Sequence, residues 1–295
     1  MPPAWVAKAR EFATLCAMDR VPTGNPATPA RISVGIGSWA DAEYTPLLFP
    51  PKLPAKERLK TYATHFSHVE VNSSAYRTPK REMVEEWVAQ TPPEFSFDVK
   101  LHRTFSDTPG AAAEKGDFIS YWLENMQPLI AARRLGAFLL VLPPRFGPKR
   151  NRLEELDALV EKLAPHPIAV ELRHRGWVEE DAREATLTYF RERKLVWVAV
   201  DMPRIEGSTI MPAVDEVTNP QLAYFRLHGR NPEWPKVKTA EERHTYDYTT
   251  PELEEIAARV RVLAEKAQVL HVVANNHAQD FAPKAALGLM RVLGL

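Results

Sequence analysis

Cysteine is nearly absent from this chain: Cys16 stands alone, which excludes an intramolecular disulfide and any structural zinc site built on cysteine thiolates. The expected compartment is therefore a reducing one, the cytoplasm. Net charge is also lacking, since Lys and Arg total 38 and Asp and Glu total 38. No bulk field draws such a protein to nucleic acid or an anionic membrane, so any anion recognition must be local. No apolar run approaches the ~20 residues needed to span a bilayer. Lys8, Arg10, Glu11 and Asp19 break up the N-terminus, where a secretory signal needs continuous apolar sequence. Glycine-rich nucleotide fingerprints are missing as well: Gly35-Ile36-Gly37 lacks the remaining glycine and spacing, and no redox cofactor is expected.

What the chain does have is eight short β-type runs. They start at Ile32, His68, Phe95, Phe138, Ile168, Val196, Ala223 and Leu270, and most end in polar or charged residues. Amphipathic stretches follow most of them: 55–66, 81–90, 118–135, 153–163, 179–194, 251–266 and 283–293. Strand and helix alternating eight times predict a (β/α)8 TIM-type barrel, an α/β fold. The length of 295 residues fits one barrel of roughly 250 residues over 31–295, preceded by an extension and linker over 1–30. That extension is expected to contain a short helix and to pack loosely or cover the closed end. The stretch from Pro203 to Pro220 is too proline-interrupted for a full crossover, so the sixth helix is expected to be reduced or missing. The irregular stretch from Gly229 to Thr249 is expected to lie over the barrel mouth.

Successive side chains of a strand face opposite ways, and the outer face must be apolar to meet the helices. This phase turns Glu70 and Asn72, Asp98, Lys100 and His102, Glu171 and Arg173, Asp201, Arg226 and His228, and Trp39 inward. Charges so enclosed must pair with one another, with water or with a ligand. For Glu70 and Asp98, deep in the barrel, an ion-pair network is the simpler reading. Lys100, His102, Arg173, His228 and Asn275 close their strands at the rim where barrel enzymes carry their chemistry. Cationic and amide donors there suit a small anion, with arginine as a bidentate clamp.

The phrases Gly35-Ile36-Gly37-Ser38-Trp39, Val69-Glu70-Val71-Asn72-Ser73-Ser74-Ala75-Tyr76-Arg77-Thr78-Pro79, Phe95-Ser96-Phe97-Asp98-Val99-Lys100, Leu142-Pro143-Pro144-Arg145-Phe146, Val170-Glu171-Leu172-Arg173-His174-Arg175-Gly176-Trp177, Phe225-Arg226-Leu227-His228-Gly229-Arg230 and Asn275-Asn276-His277 together resemble the YecE-like family, also called domain of unknown function 72. The resemblance runs from about Arg31 to the C-terminus and keeps the motif order. It implies a TIM-type barrel and brings no activity with it. Its motif positions fall on Trp39, Glu70, Asn72, Tyr76, Arg77, Lys100, Glu171, Arg173, Trp177, Asp201, Arg226, His228, Asn275 and Asn276. Two departures stand at the expected mouth. Ser38 replaces a glycine before the tryptophan, and Ala278-Gln279-Asp280 replaces a glycine after the paired asparagines.

Three chemistries compete. Metal-free acid-base catalysis would use Lys100 or Glu171 as base and His228 or His102 as acid. Trp39, Glu70, Asn72, Tyr76, Arg173, Asp201, Arg226, Asn275 and Asn276 would then bind a sugar phosphate, sugar acid or nucleotide fragment. A divalent metal on Glu70, Glu171, Asp201 and His228, as in isomerase or phosphodiesterase-type barrels, is the alternative. Lys100, Arg173 and Arg226 in the same space argue against it, because a cation about 4 to 5 Å from a divalent ion costs several kcal/mol. A barrel that binds a metabolite or a protein without turnover is the third. Trp39, Tyr76, Phe146, Trp177 and Trp234 could form an aromatic platform at the mouth or simply pack under loops. Nucleic acid, which needs an outer basic stripe, is disfavoured by the neutral charge. Oligomeric state is left open by the sequence.

Overall fold

The computed structural model describes residues 29–295 apart from Lys115, Glu180, Asp181 and His277. The expectations for the N-terminal extension fall on 1–28, outside the described residues. Eight parallel strands occur in chain order: β1 (Arg31–Ile36), β2 (His68–Val71), β3 (Ser96–Lys100), β4 (Leu135–Val141), β5 (Ile168–Glu171), β6 (Val196–Asp201), β7 (Leu222–Leu227) and β8 (Val269–Ala274). Their order in the sheet is β1-β8-β7-β6-β5-β4-β3-β2, which curls into a nearly closed α/β barrel of the TIM type.

The seam lies between β1 and β2, which share no ladder. Gly35 brings its backbone so close that an added Cβ would stand 2.3 Å from the carbonyl oxygen of His68. Tyr62, from α1 (Arg58–Tyr62), fills the gap. Its hydroxyl accepts from the Ile36 N–H at 3.0 Å and donates to the His68 carbonyl at 2.9 Å. One buried phenol thus pairs two main-chain groups that would otherwise have no partner.

The outer helices include α2 (Arg81–Gln90), α5 (Gly116–Ala131), α6 (Asp157–Leu163), α7 (Ala182–Glu192), α9 (Thr250–Ala264) and α10 (Phe281–Leu293). They cover the apolar outer face of the sheet, where Val69, Val71, Phe97, Val99, Phe138, Val170, Phe225 and Val272 are buried. Glu252 opens α9 by accepting from the Thr249 N–H and hydroxyl, both at 2.8 Å, a capping box whose next residue is followed by proline. No helix is present among the described residues between β6 and β7, as the prolines there predict. Between β3 and β4 the sequence reading gave one helix, and the chain forms two further short ones, α3 (Arg103–Asp107) and α4 (Pro109–Glu114). The stretch after β7 carries α8 (Ala240–His244), too short for its periodicity to show. No helix among the described residues is long and apolar enough to cross a membrane.

Candidate functional site

Alternation places the central charges as expected on four strands, β2, β3, β5 and β7. Arg226 of β7 is fully buried at the barrel axis. Its Nη2 donates to Glu70 Oε1 of β2 at 2.6 Å and to Asn275 Oδ1 at 3.1 Å, and its Nη1 donates to Glu171 Oε2 of β5. Tyr224 holds the other Glu70 oxygen at 2.8 Å, while Arg173 Nε donates to Glu171 Oε1 at 2.6 Å. Burial opposes ionisation of Glu171, but Arg226, His228 and Arg173 outweigh it and hold the carboxyl well below its ordinary range.

His228 has both ring nitrogens committed. Nε2 lies 3.1 Å from Glu171 Oε2 and Nδ1 lies 3.2 Å from Asn275 Nδ2. Because Asn275 Oδ1 accepts from Arg226 and from Asn72 Nδ2 at 3.2 Å, its amide nitrogen must face the imidazole. His228 is thereby an Nε2–H tautomer donating to Glu171. Burial, only partly countered by Glu171, lowers its pKa to about 4, so the ring is neutral at pH 7.

Above this layer opens a cavity of about 310 Å³ at the C-terminal ends of the strands, lined by Trp39, Asn72, Tyr76, Lys100, Arg173, His244 and Asn275 among others. A second cavity of about 420 Å³, bordered by Trp234 and Arg243, shares Arg173 with it. Arg173 spends its Nε on Glu171 and is partly exposed. The Lys100 ammonium makes no hydrogen bond or ion pair with the described residues, in contrast to every other inward charge, although the Lys100 carbonyl accepts from the Ser74 hydroxyl at 2.6 Å. Burial first, and then the Arg226 and Arg173 guanidiniums, push the Lys100 ammonium down to about 8. Tyr76 is largely exposed at the lip, 74%, and Trp39 packs edge-on against Trp87 of α2, centroids 5.4 Å apart.

Several expected site residues stand elsewhere. Asp201 does not turn inward: Val200 is in register with the inward Arg226 and Asp201 with Leu227. Trp197, of the same parity as Asp201, packs outward on Phe190 of α7 at 5.2 Å. Asp201 instead accepts from Arg259 of α9 and from Arg230 and Tyr248, each at 2.8 Å, and so ties the loop after β7 to the outer wall. Arg226 cannot act as an open anion clamp, since both its Nη groups are spent on carboxylates. His102 leaves the rim as the N-cap of α3, accepting from the Thr104 N–H at 3.3 Å, with its ring against Phe118. Asn276 is buried and donates to the Tyr246 carbonyl at 2.8 Å. Of the aromatic platform, Trp39 and Tyr76 line the mouth and Trp234 its neighbouring cavity. Phe146 and Trp177 stack on each other at 5.6 Å, with the indole N–H donating to the Phe146 carbonyl.

The sequence reading missed His244, which lines the mouth and whose Nδ1 lies 2.9 Å from the His228 carbonyl oxygen. His244 closes α8 within the stretch expected over the mouth, where strand alternation does not reach, so its own role was not singled out. The sequence reading also missed a second buried cluster on the inward faces of β2, β3 and β8. There Asp98 Oδ2 lies 2.6 Å from His68 Nε2 and 2.9 Å from His271 Nδ1. His68 shares the parity of Glu70, which was the available signal. The two imidazoles outweigh burial and hold the Asp98 carboxyl well below its usual range. Among the described residues, this is the one group of three with ligand atoms close enough for a metal ion, all within 4.8 Å. The other candidate metal set, Glu70, Glu171, Asp201 and His228, is not brought together, because Asp201 lies outside and Arg226 occupies both glutamates.

Residues 33–295 match the family described as "Protein of unknown function DUF72". The chain belongs to the DUF72 family. It is 27% identical over 273 residues to the UPF0759 protein YunF of Bacillus subtilis, covering 90% of this chain and 95% of that one. It is 33% identical over 160 residues to the UPF0759 protein YecE of Escherichia coli, 53% of each chain. Among solved structures, a DUF72 family protein of Enterococcus faecalis superposes with a TM-score of 0.79 at 30% identity, covering 90% of this chain and 96% of that one. One from Thermotoga maritima gives 0.76 at 28%, covering 90% and 100%. DUF72 membership and the TIM-type barrel read from the motifs both stand, and in this DUF72 chain the motif residues Glu70, Glu171, Arg173, Arg226 and Asn275 form one hydrogen-bonded layer beneath the mouth, which Lys100 also lines.

Proposed function

We propose that this DUF72 protein binds a small anionic metabolite in the rim cavity and turns it over by metal-free acid-base chemistry. The observation that carries the reading is a division of labour among like charges. Arg226 is consumed by Glu70 and Glu171, whereas Lys100 and the outer part of Arg173 border the cavity without a full set of partners. A phosphate or carboxylate entering there would meet two cations above a rigid floor in which Arg226 is already paired with both carboxylates. Rigidity matters because a preorganised site does not reorganise its dipoles when charge develops on the ligand.

Within this reading Arg173 orients the anion, and Lys100 is the reactive group, since an amine near pH 8 exists in both protonation states at physiological pH. Glu171 and His228 support rather than react: one is locked as a carboxylate, the other has no free nitrogen. Trp39 and Tyr76 offer apolar faces for a sugar or base. The ligands proposed for the cavity of about 310 Å³ are a sugar phosphate, a sugar acid or a nucleotide fragment. A thermal-shift screen of phosphorylated and carboxylated metabolites, run on wild type and Arg173→Met, tests the reading. Stabilisation by a subset of anions that vanishes in the variant is the expected result. Equal shifts in both proteins would overturn it.

A further inference from the structure

The position of Lys100 carries a more specific assignment, which rests on the reading above. We propose that Lys100 is an imine-forming amine, and that the metabolite is an anionic carbonyl compound such as an oxo acid or a phosphorylated aldehyde or ketone. The groups that act on the amine are Glu70 of β2, Glu171 at the end of β5, Arg173 just beyond it and Arg226 of β7. Two carboxylates and two guanidiniums cancel, and burial keeps His228 neutral. An ammonium on Lys100 is therefore an unmatched charge beside two guanidiniums. A group needed only for its charge would be better served by a third arginine, which stays charged and binds bidentately.

Geometry adds to this. Lys100 ends β3, a strand held on both sides, by β2 and β4, so its backbone is fixed while its amine borders an open cavity. No partner among the described residues must be broken before the nitrogen lone pair is used. Arg173, across the same cavity, is placed to hold the anionic end of a compound whose carbonyl carbon faces the amine. A desolvated lysine next to other cations is the general means of making an amine nucleophilic, and its descent to about 8 accords with the geometry.

The step balances without an oxidant or reductant. The Lys100 nitrogen lone pair attacks the carbonyl carbon, and the π electrons move to oxygen, which takes up a proton. The nitrogen gives a proton to solvent; the carbinolamine hydroxyl then takes up a proton and departs as water as the nitrogen lone pair forms C=N, and the nitrogen releases its remaining proton to solvent. The sum is amine plus carbonyl to imine plus water.

The test uses pyridoxal 5′-phosphate as an anionic aldehyde probe and pyridoxal as its counterpart without phosphate. Each is incubated with the full chain, reduced with borohydride, and mapped by peptide mass spectrometry. With pyridoxal 5′-phosphate, Lys100 is expected to be modified first, at about one equivalent, faster as pH rises toward about 8. The pyridoxal label at Lys100 should be at least tenfold weaker. Arg173→Met should reduce the phosphorylated probe to the level of the unphosphorylated one. Lys100→Arg, checked for folding by circular dichroism, controls for peptide assignment. An unmodified Lys100 with other lysines labelled, alongside intact anion binding, would overturn the imine and leave the anion site standing. Equal labelling of Lys100 by both aldehydes, unaffected by Arg173→Met, would support the amine and overturn the anion reading.

Discussion

Arg226 and Glu171 are fully buried partners on β7 and β5: the Nη1 of one donates to the Oε2 of the other, and neither side chain is exposed to solvent. With Glu70 on the second Nη, they form a brace across the barrel interior. A brace of this kind is a structural element with consequences for stability before it has any for chemistry.

Replacing Arg226 with Met leaves two carboxylates in the barrel interior without their counter-charge. Breaking a buried pair from one side costs about 3–5 kcal/mol, and here one guanidinium serves two partners. Urea denaturation of Arg226→Met is expected to show at least that loss, or no cooperative transition. Arg173→Met, at a partly exposed position, should lose much less. Equal stabilities for the two variants would contradict the brace.

The difference between these arginines also marks how far the sequence could be read. Alternation with an apolar outer face fixed the phase of β2, β3, β5 and β7, because each carries alternating polar and apolar residues. It failed on β6, where Val196–Asp201 is apolar on both faces up to Asp201 and the phase is ambiguous. Nothing in spacing separates a guanidinium saturated by carboxylates from one left to meet a ligand. His102 and Asn276 lie past their strand ends, where the period of two no longer applies and local turn chemistry decides. His244 closes the short helix α8 inside the long connection after β7, whose path depends on tertiary contacts. The eight-strand order and the absent sixth helix, by contrast, follow from local signals.

Acid should destabilise the protein in two stages. Burial depresses the folded pKa of His228 to about 4, against an unfolded value of ~6.5. The unfolded chain binds that proton first, so stability is complete above ~6.5 and falls with pH by up to about 1.4 kcal/mol per unit toward pH 4. His271 is shifted in the same direction. Asp98 and Glu171, both depressed, contribute stability that is lost only below the ordinary carboxylate range. Unfolding free energy measured from pH 8 to 3 should therefore begin to fall near 6.5, and His228→Gln should flatten the upper stage. A profile level down to pH 4.5 would contradict the neutral buried imidazole.

Tyr62→Phe removes the phenol that bridges the β1–β2 seam. Both the Ile36 N–H and the His68 carbonyl lose a buried partner, at about 1–3 kcal/mol for each group left unsatisfied. Hydrogen exchange at Ile36 should accelerate selectively. Unchanged protection there would show that water or strand closure replaces the hydroxyl.

Gly136 leaves no room for a side chain: a Cβ would sit 2.4 Å from Asp98 Oδ1 and 2.6 Å from His271 Cε1. Gly136→Ala is expected to cost about 1–3 kcal/mol by overpacking, read as a lowered thermal midpoint. A neutral effect would mean that the Asp98 cluster shifts freely.

The central claim is that Arg173 and Lys100 form an anion site above a floor whose two carboxylates are already paired with arginine, and calorimetric titration with sulfate at low ionic strength tests it most directly. Wild type should bind one equivalent saturably at pH 7, and Arg173→Met, still folded, should bind at least tenfold more weakly. Identical isotherms for the two proteins, or no saturable binding in wild type, would contradict it.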